Sequence, residues 1–455
     1  TSRMGMTLIV VPEGTWNDTE YSKPARKAVV GIDTRTHSPP VRDDAAEAGM
    51  VLAQAQEAPA LTAVAAPYTL EQAVAAAGGS APAVQAAQAG VEAAQAGRRV
   101  ASLRPNPTIQ TQVENIAGSG AYSGFRSAES TVSVAIPIEL GGKRSARIAV
   151  ADAQTDRALL VSAITKADIR LQVTQLYVEA VAAERRVQTA RDQSRIAGDA
   201  ANAARVRVQA GRASPIEEQR ANVAKINADA ELVRTIRLAQ ASRANLERRV
   251  GQPMGGPLDT AWLESLPRGY GPEMPPSAAG TLALAAAGAD LAIADANVRL
   301  ANSQRVPNLE AGPGLRRLSG TNDTALIFTV TMPIPIFNSG KASVAQAQAQ
   351  RNQAEAQKRM TALDVEQAIT DAQTAASNAA VTAQTATGPA LEAAQEAARI
   401  ARIGYREGKF GQLDLLDAER TLSETRLAAI DALASYQNAR AQLERLAAPA
   451  PEQGN

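Results

Sequence analysis

Two carboxylates placed three residues apart are the best candidates for chemistry in this sequence. Asp414 and Asp417 follow a turn-like segment, Glu407 to Gly411, and open a long run rich in Ala. Residues three apart share one face of a helix, so both side chains should project together. With no partner base in a pocket, two carboxylates do not make a catalytic centre. On spacing alone they are best interpreted as two solvated charges.

Other chemistry is poorly represented. Gly340 to Ser343 resembles the end of a phosphate-binding loop, but Pro335 stands where such a loop needs its first Gly. The chain has no Cys and one His, which excludes disulfides and thiolate metal sites. A net charge of +1 gives no basic surface for nucleic acid. We therefore expect no enzyme, no cofactor and no metal site.

Two segments change from strand to long helix in the same way. Apolar residues alternate with small or polar ones over residues 132–136 and 328–332, as in a strand with one apolar face. Each strand then meets a proline, where ladder pairing should weaken. A Gly-Lys step follows and opens a long run without proline. The residues of these two strand-to-helix joints are Pro137, Gly142, Lys143, Pro333, Gly340 and Lys341.

Each of these strands has a preceding partner. Residues 107–138 predict one β-hairpin and residues 308–337 a second, the latter with a loop from Arg316 to Thr324. Hairpins with one apolar face are the unit of membrane β-barrels, although one such hairpin alone fits a soluble protein as well. The predicted apolar face holds Ile109, Val113, Val132, Val134, Phe328 and Val330, and the predicted polar face holds Gln110, Gln112 and Glu114.

Helices account for most of the remaining chain. Two short helices are predicted at 70–77 and 80–103, separated by Gly78-Gly79. Residues 143–210 predict one helix roughly 100 Å long, with apolar residues at coiled-coil spacing. The chain turns at Gly211 and returns over 216–250. A later pair of helices, 341–405 and 412–447, should be kinked at Gly388-Pro389.

The chain is an internal duplication. Arg243 to Arg248 is matched by Arg440 to Arg445 (440 − 243 = 197), and Gly211 and Gly408 share this offset. The predicted divisions are an irregular segment 1–67, a first repeat 68–251 with helical hairpin 143–250, a Gly/Pro-rich linker 252–280, a second repeat 281–447 with helical hairpin 341–447, and a tail 448–455.

This tandem arrangement resembles the TolC family of outer-membrane efflux channels over about residues 68–447. The runs Pro137 to Arg144 and Pro333 to Asn338 are similar to the heavy-metal branch, the cobalt-zinc-cadmium efflux outer-membrane proteins. The resemblance implies a mixed α and β fold and a homotrimer. Four strands per subunit would form a 12-stranded transmembrane β-barrel above a long periplasmic α-helical barrel. Independently, four strands cannot enclose a pore and an open sheet edge cannot face lipid, so subunits must pool their strands.

The segment Tyr405 to Gly408, followed by the two aspartates, resembles the inner tip hairpin of that family. The resemblance implies that Asp414 and Asp417 line the periplasmic aperture, with six carboxylates under threefold symmetry. Phe410 departs from the pattern, because the best-known member has a basic residue there that ties the closed tip together. The tip hairpins comprise Tyr405, Gly408, Phe410, Gly211, Glu217 and Arg220. Arg220 is expected to pair with an aspartate of the neighbouring hairpin.

These expectations describe a passive exit duct of a tripartite efflux system, located in the bacterial outer membrane and extending into the periplasm. Its implied partners are a periplasmic adaptor protein and an inner-membrane RND transporter. Heavy-metal cations are the expected cargo, and drugs or other small molecules are the alternative. A soluble coiled-coil scaffold is a third possibility, but a scaffold has no use for two amphipathic hairpins.

Overall fold

The computed structural model of the chain describes residues 66–266 and 277–451. In these ranges the chain forms nine α-helices and one four-stranded sheet. The first repeat contains α1 Leu70–Ser80, α2 Pro82–Ala101, β1 Thr108–Glu114, β2 Glu129–Ile138, α3 Lys143–Gln209 and α4 Pro215–Val250. A short helix, α5 Thr260–Leu263, follows. The second repeat contains α6 Leu282–Gln304, β3 Leu309–Leu318, β4 Asp323–Thr331, α7 Lys341–Thr387, α8 Pro389–Arg406 and α9 Gln412–Leu446.

Some predicted segments fall outside the described residues. These are nearly all of the irregular segment 1–67, residues 267–276 of the linker and residues 452–455 of the tail.

The predicted boundary between the first two helices is wrong. Gly78 and Gly79 lie inside α1, which continues to Ser80. The Ser80 hydroxyl donates a hydrogen bond to the carbonyl of Val250 over 2.9 Å, which fixes the end of α1 against the end of α4. The break comes one residue later because Pro82, the first residue of α2, has no N–H to continue the helix.

The long helix of the first repeat follows its prediction closely. Helix α3 has 67 residues and is therefore about 100 Å long. Most of its predicted apolar seam is buried, including Ile169, Val173, Ala180, Ala183 and Val187. It packs along α4 and also contacts α2, α6 and α9. A single helix thus touches elements of both repeats, which explains how two repeats form one unit.

A buried tyrosine in the middle of α3 organises the main core. The Tyr177 hydroxyl donates to the Tyr68 carbonyl over 2.7 Å and accepts from the Asp259 amide over 3.0 Å. Its ring meets Trp262 edge-on, with centroids 5.5 Å apart. Burial raises the pKa of Tyr177 to about 12. The first part of the predicted linker, residues 252–266, is therefore a packed segment carrying α5 and not a simple connection.

The predicted kink in the second long helix is a complete break. Helix α7 ends at Thr387, Gly388 leaves helical geometry (φ −99°, ψ −107°), and α8 starts at Pro389. Proline at the first helical position removes the N–H that would have bonded back into α7.

The four strands form one antiparallel sheet in the order β1-β2-β3-β4. The predicted loop from Arg316 to Thr324 is wrong: β3 continues to Leu318 and β4 begins at Asp323. The register pairs Arg316 with Ala325 and Arg317 with Thr324 across the hairpin. A short turn over residues 319–322 connects the strands.

The prolines at the two strand ends behave differently. Pro137 stays inside β2 and pairs with β3, so the expected weakening does not end that strand. Pairing with β1 stops at Ala135, opposite Thr108, and beyond it β2 has a neighbour on one side only, where a missing N–H is tolerated. In the second hairpin β4 ends at Thr331, before Pro333, as predicted.

Both strand-to-helix joints contain a glycine in a left-handed conformation. Gly142 (φ 71°) precedes α3, and Gly340 (φ 73°) precedes α7. A Cβ on Gly340 would lie 2.8 Å from Cγ of Arg305, so glycine also provides space there. Lys143 and Lys341 are the first residues of the two helices, and the Lys143 ammonium donates to the side chain of Asn308. The two joints therefore share the same backbone conformation, a left-handed glycine followed by a helix that begins at lysine.

Candidate functional site: the two hairpin tips

Each helical hairpin closes through the same tight turn. Gly211 (φ 69°) lies between α3 and α4, and Gly408 (φ 75°) lies between α8 and α9. The amide after each glycine donates over 2.8 Å to a helix carbonyl, that of Arg207 in the first tip and that of Gly404 in the second. A left-handed glycine closing a helix end in this way is a common capping motif. Both predicted turns are present, with equivalent geometry.

The two tips lie side by side in the subunit. The side-chain amide of Gln412, which is buried, donates to the Glu217 carbonyl over 3.0 Å. The guanidinium carbon of Arg207 lies 4.8 Å from the ring centroid of Tyr405, a cation–π contact. Residues from both repeats therefore form one surface.

Asp414 and Asp417 are both exposed, but they have different neighbours. One carboxylate oxygen of Asp414 accepts from the Gly411 amide over 2.9 Å, at the N-terminus of α9. Asp417 pairs with Arg420 of the same helix over 3.0 Å, and both side chains are mainly solvent-exposed. Asp414 therefore also caps its helix, while Asp417 belongs to a surface ion pair of little energetic weight.

The equivalent positions of the first tip differ. Glu217 is half-buried and lies in the acidic first turn of α4, and Arg220 is exposed. Within the described part of the subunit, Arg220 forms no ion pair with Asp414 or Asp417. The predicted pairing of Arg220 with an aspartate of the neighbouring hairpin therefore stays a prediction.

Phe410 packs onto the backbone of the helix that precedes it. A Cβ added to Gly404 would overlap Cδ2 of the Phe410 ring. The Phe410 amide also donates to the Gly404 carbonyl, over 3.2 Å. In the second tip the Phe410 ring therefore packs directly against Gly404, where a side chain would leave no space for it.

A salt bridge behind the second tip joins α8 to α9. The Arg402 guanidinium binds both carboxylate oxygens of Glu419, one of them over 2.8 Å. The Glu419 side chain is 6% exposed, whereas that of Arg402 is 41% exposed. This hydrogen bonding raises the pKa of Arg402, so the guanidinium stays charged.

Sequence reasoning missed Gly404, Arg402 and Glu419. Comparing the two repeats at the offset of 197 residues could have found two of them, because Gly404 stands opposite Arg207, and Glu419 opposite Asn222. Positions where the copies differ inside a shared turn mark the side chains that distinguish the tips.

The described residues offer neither a metal-binding cluster nor a membrane-spanning helix. Across residues 66–266 and 277–451, His, Cys, Asp and Glu nowhere gather in a group of three or more that could hold a metal ion. In the same ranges, none of the helices combines the length and the apolar composition needed to cross a membrane.

Comparison with known proteins identifies the family. The model of the outer membrane efflux protein family matches residues 73–252 and 277–448, which include both helical hairpins and both β-hairpins. The chain belongs to the outer membrane efflux protein family. The match falls into two segments, one for each repeat. Members of this family are channels of tripartite efflux systems, placed in the outer membrane and extending into the periplasm.

Curated relatives of this outer membrane efflux protein include metal-resistance proteins of Cupriavidus metallidurans. The chain is 32% identical to the cobalt-zinc-cadmium resistance protein CzcC over 382 residues, 84% of this chain and 90% of the relative. It is 30% identical to the nickel and cobalt resistance protein CnrC over 308 residues, 66% of this chain and 71% of the relative. The predicted resemblance to the heavy-metal branch is confirmed.

Solved structures agree on the fold. The outer membrane protein VceC from Vibrio cholerae superposes with a TM-score of 0.66 at 18% identity, covering 84% of this chain and 96% of VceC. The predicted TolC-like mixture of long helices and a small antiparallel sheet is therefore confirmed.

Proposed function

We propose that this outer membrane efflux protein is a passive, homotrimeric exit duct for heavy-metal cations. The observation that carries the proposal is the four-stranded sheet, whose outer strands β1 and β4 each have one edge without a partner strand in the described part of the subunit. The sheet lies at the N-terminal end of α3, which is about 100 Å long. A sheet with two unpaired edges, joined to long helices, fits a subunit whose sheet and helices form a tube together with those of other copies of the chain.

The sheet has one apolar face that is exposed in the subunit. Ile109 is 77% exposed, Leu326 is 79% exposed and Phe328 is 71% exposed. Residues directly opposite in an antiparallel pair share a face, so the register places these side chains together with Val132 and Val134. A continuous apolar face of this kind suits contact with lipid, and three subunits would supply a 12-stranded barrel without free edges.

Charge placed on either face tests this assignment. Val134→Arg should cost about 2–4 kcal/mol if the residue lies near the middle of the bilayer, whereas Gln112→Arg on the other face should cost little. Folding of both variants into lipid vesicles gives the comparison, and equal tolerance would show that the face assignment is wrong.

The cargo follows from the relatives and from the scarcity of strong ligands. Relatives named for resistance to cobalt, zinc, cadmium and nickel favour divalent metal cations over drugs. The sequence has no Cys and one His, so strong metal ligands are scarce. A duct must release the ions that enter it, and weak binding suits passage. Selection of the metal would then fall to an inner-membrane RND transporter and a periplasmic adaptor, the partners we propose.

The periplasmic entrance is proposed at the hairpin tips. Asp414 and Asp417 are exposed on the first turns of α9, and three subunits would present six carboxylates. Like charges at a narrow opening focus a negative potential that admits cations.

A metal-tolerance assay tests the function. A bacterial strain from which the gene for this protein has been deleted should regain growth on cobalt, zinc or cadmium when the gene is supplied on a vector. The empty vector should not restore growth. Restored tolerance to drugs without any metal would overturn the cargo assignment and leave the duct. Recovery of the protein in the soluble fraction without detergent would overturn the duct itself and favour the scaffold.

A further inference from the structure

The four strands carry their charges asymmetrically. Opposite residues in an antiparallel pair share a face, and the register therefore assigns every strand residue to one of two faces. All carboxylates of the four strands fall on the polar face, and they are Glu114, Glu129, Glu310 and Asp323. Arg316 lies on this face as well, so its net charge is −3 per subunit. Arg317 is the one charged strand residue on the apolar face.

Arg316 is the centre of a network that spans three strands. Its guanidinium lies 3.1 Å from a Glu129 oxygen and 3.6 Å from a Glu114 oxygen, and its Nε donates to the Thr131 hydroxyl over 3.1 Å. The other oxygen of Glu129 accepts from the Asn115 side chain over 3.3 Å. Both oxygens of Glu129 are therefore held in place. The three charged side chains of the network are a quarter to two-fifths exposed, so solvent reaches them.

The network has a defined place in the sheet. Glu114 is the last residue of β1 and Glu129 is the first residue of β2. The network therefore lies at the end of the sheet where loops join β1 to β2 and β3 to β4. Glu310 is the second residue of β3, so it lies near the opposite end of the sheet, and it is exposed. Its register partners are the uncharged Pro137 and Thr331. The polar face thus has a partly neutralised charge cluster at one end and, at the other, a carboxylate whose register partners are uncharged.

We infer that this face forms a second cation-selective zone of the duct, at its barrel end, whose strength is set by Arg316. The inference rests on the proposed function, because the polar face lines a lumen only if subunits pool their sheets. Three subunits would then place a net charge of −9 on the wall. Cations that leave the helical part of the duct meet a negative potential along the barrel. The positive charge of Arg316 makes this potential less negative at the loop end, so that ions can still leave.

The test uses the full chain reconstituted in planar bilayers, with the K⁺/Cl⁻ permeability ratio measured from reversal potentials in a KCl gradient. Arg316→Gln removes a positive charge from the polar face and should raise the ratio about twofold at low salt. Glu310→Gln should lower it by a similar factor, and this exposed site keeps the test valid if loss of Arg316 disturbs the sheet. Arg317→Gln, one residue away on the other face, is the matched control and should leave the ratio unchanged.

Salt gives a second readout that a purely structural role would not produce. The Debye length falls from about 10 Å at 0.1 M to about 3 Å at 1 M, so the differences between variants should shrink in concentrated KCl. Channels whose selectivity is the same in Glu310→Gln, Arg316→Gln and wild type would overturn the inference and leave the duct intact. A chain that forms no conducting channels would overturn the proposed function and the inference with it.

Discussion

The two hairpin tips have nearly the same backbone and very different side chains. Both turn through a left-handed glycine and close onto a helix carbonyl over the same distance. The first tip places Arg207 at the closing carbonyl, whereas the second has Gly404 there and seats Phe410 on it. The two copies thus share the turn and differ in the side chains around it. The first tip carries the basic residues Arg207 and Arg220, and the second carries Asp414, Asp417 and the Arg402–Glu419 salt bridge.

The salt bridge behind the second tip gives the largest expected contrast. Arg402→Ala leaves the buried Glu419 carboxylate without its partner and should cost about 2–3 kcal/mol, less than for a fully buried pair because Arg402 is partly exposed. The equivalent residue of the first tip, Arg205, is exposed and, among the described residues, bonds to the side chain of Asn202, so Arg205→Ala should cost under about 0.5 kcal/mol. Denaturant unfolding compares them, and equal losses would contradict the proposed difference.

The glycine beneath Phe410 gives the next effect. Gly404→Ala places a methyl group where the ring now sits and should destabilise the second tip by about 1–2 kcal/mol. Hydrogen exchange of the α8 and α9 amides measures local opening. In a Phe410→Ala background the same change should be nearly neutral, since the clash is gone. A full cost in that background would show that the ring does not matter.

The aspartates give an effect on permeation with little change in stability. Asp414→Asn with Asp417→Asn keeps side-chain size, and the amide oxygen introduced at position 414 can still cap α9. We expect a lower cation-to-anion permeability ratio and weaker block by multivalent cations in single-channel recordings. The matched change in the first tip, Glu217→Gln, should alter the ratio less because Glu217 is half-buried. Unchanged selectivity and block in the double variant would place the entrance elsewhere.

The contact between the tips gives the smallest effect. Arg207→Ala removes the cation–π interaction with Tyr405 and should cost about 0.5–1 kcal/mol. Arg207→Lys should keep part of it, and thermal unfolding distinguishes the three proteins. Identical behaviour of the Ala and Lys variants at wild-type stability would mean that the tips do not stabilise one another through this pair.

The sequence predicted the helices well because their determinants are local. The sequence of α3 is an uninterrupted Ala-rich run with apolar residues at coiled-coil spacing, which favours a helix. Pro389 ends α7 because its ring and missing N–H interrupt a helix whatever the tertiary contacts are. Turn glycines at 211 and 408 were equally readable, since positive φ favours Gly.

The errors arose where partners distant in sequence decide the outcome. The loop prediction is wrong at Arg316, whose charge is accommodated in β3 by Glu129 and Glu114, two partners far away in the chain. Pro137 stays in β2 because β1 has already ended beside it. Likewise, the seat of Phe410 on Gly404 is a tertiary contact that residue spacing does not encode.

Native mass spectrometry of the detergent-solubilised chain tests the central claim most directly. If copies of the chain complete the two unpaired edges of the sheet, three copies of 47.3 kDa give a mass of about 142 kDa. We predict this trimer as the dominant species, stable on dilution. A stable 47.3 kDa monomer under conditions that preserve the folded sheet would contradict the account.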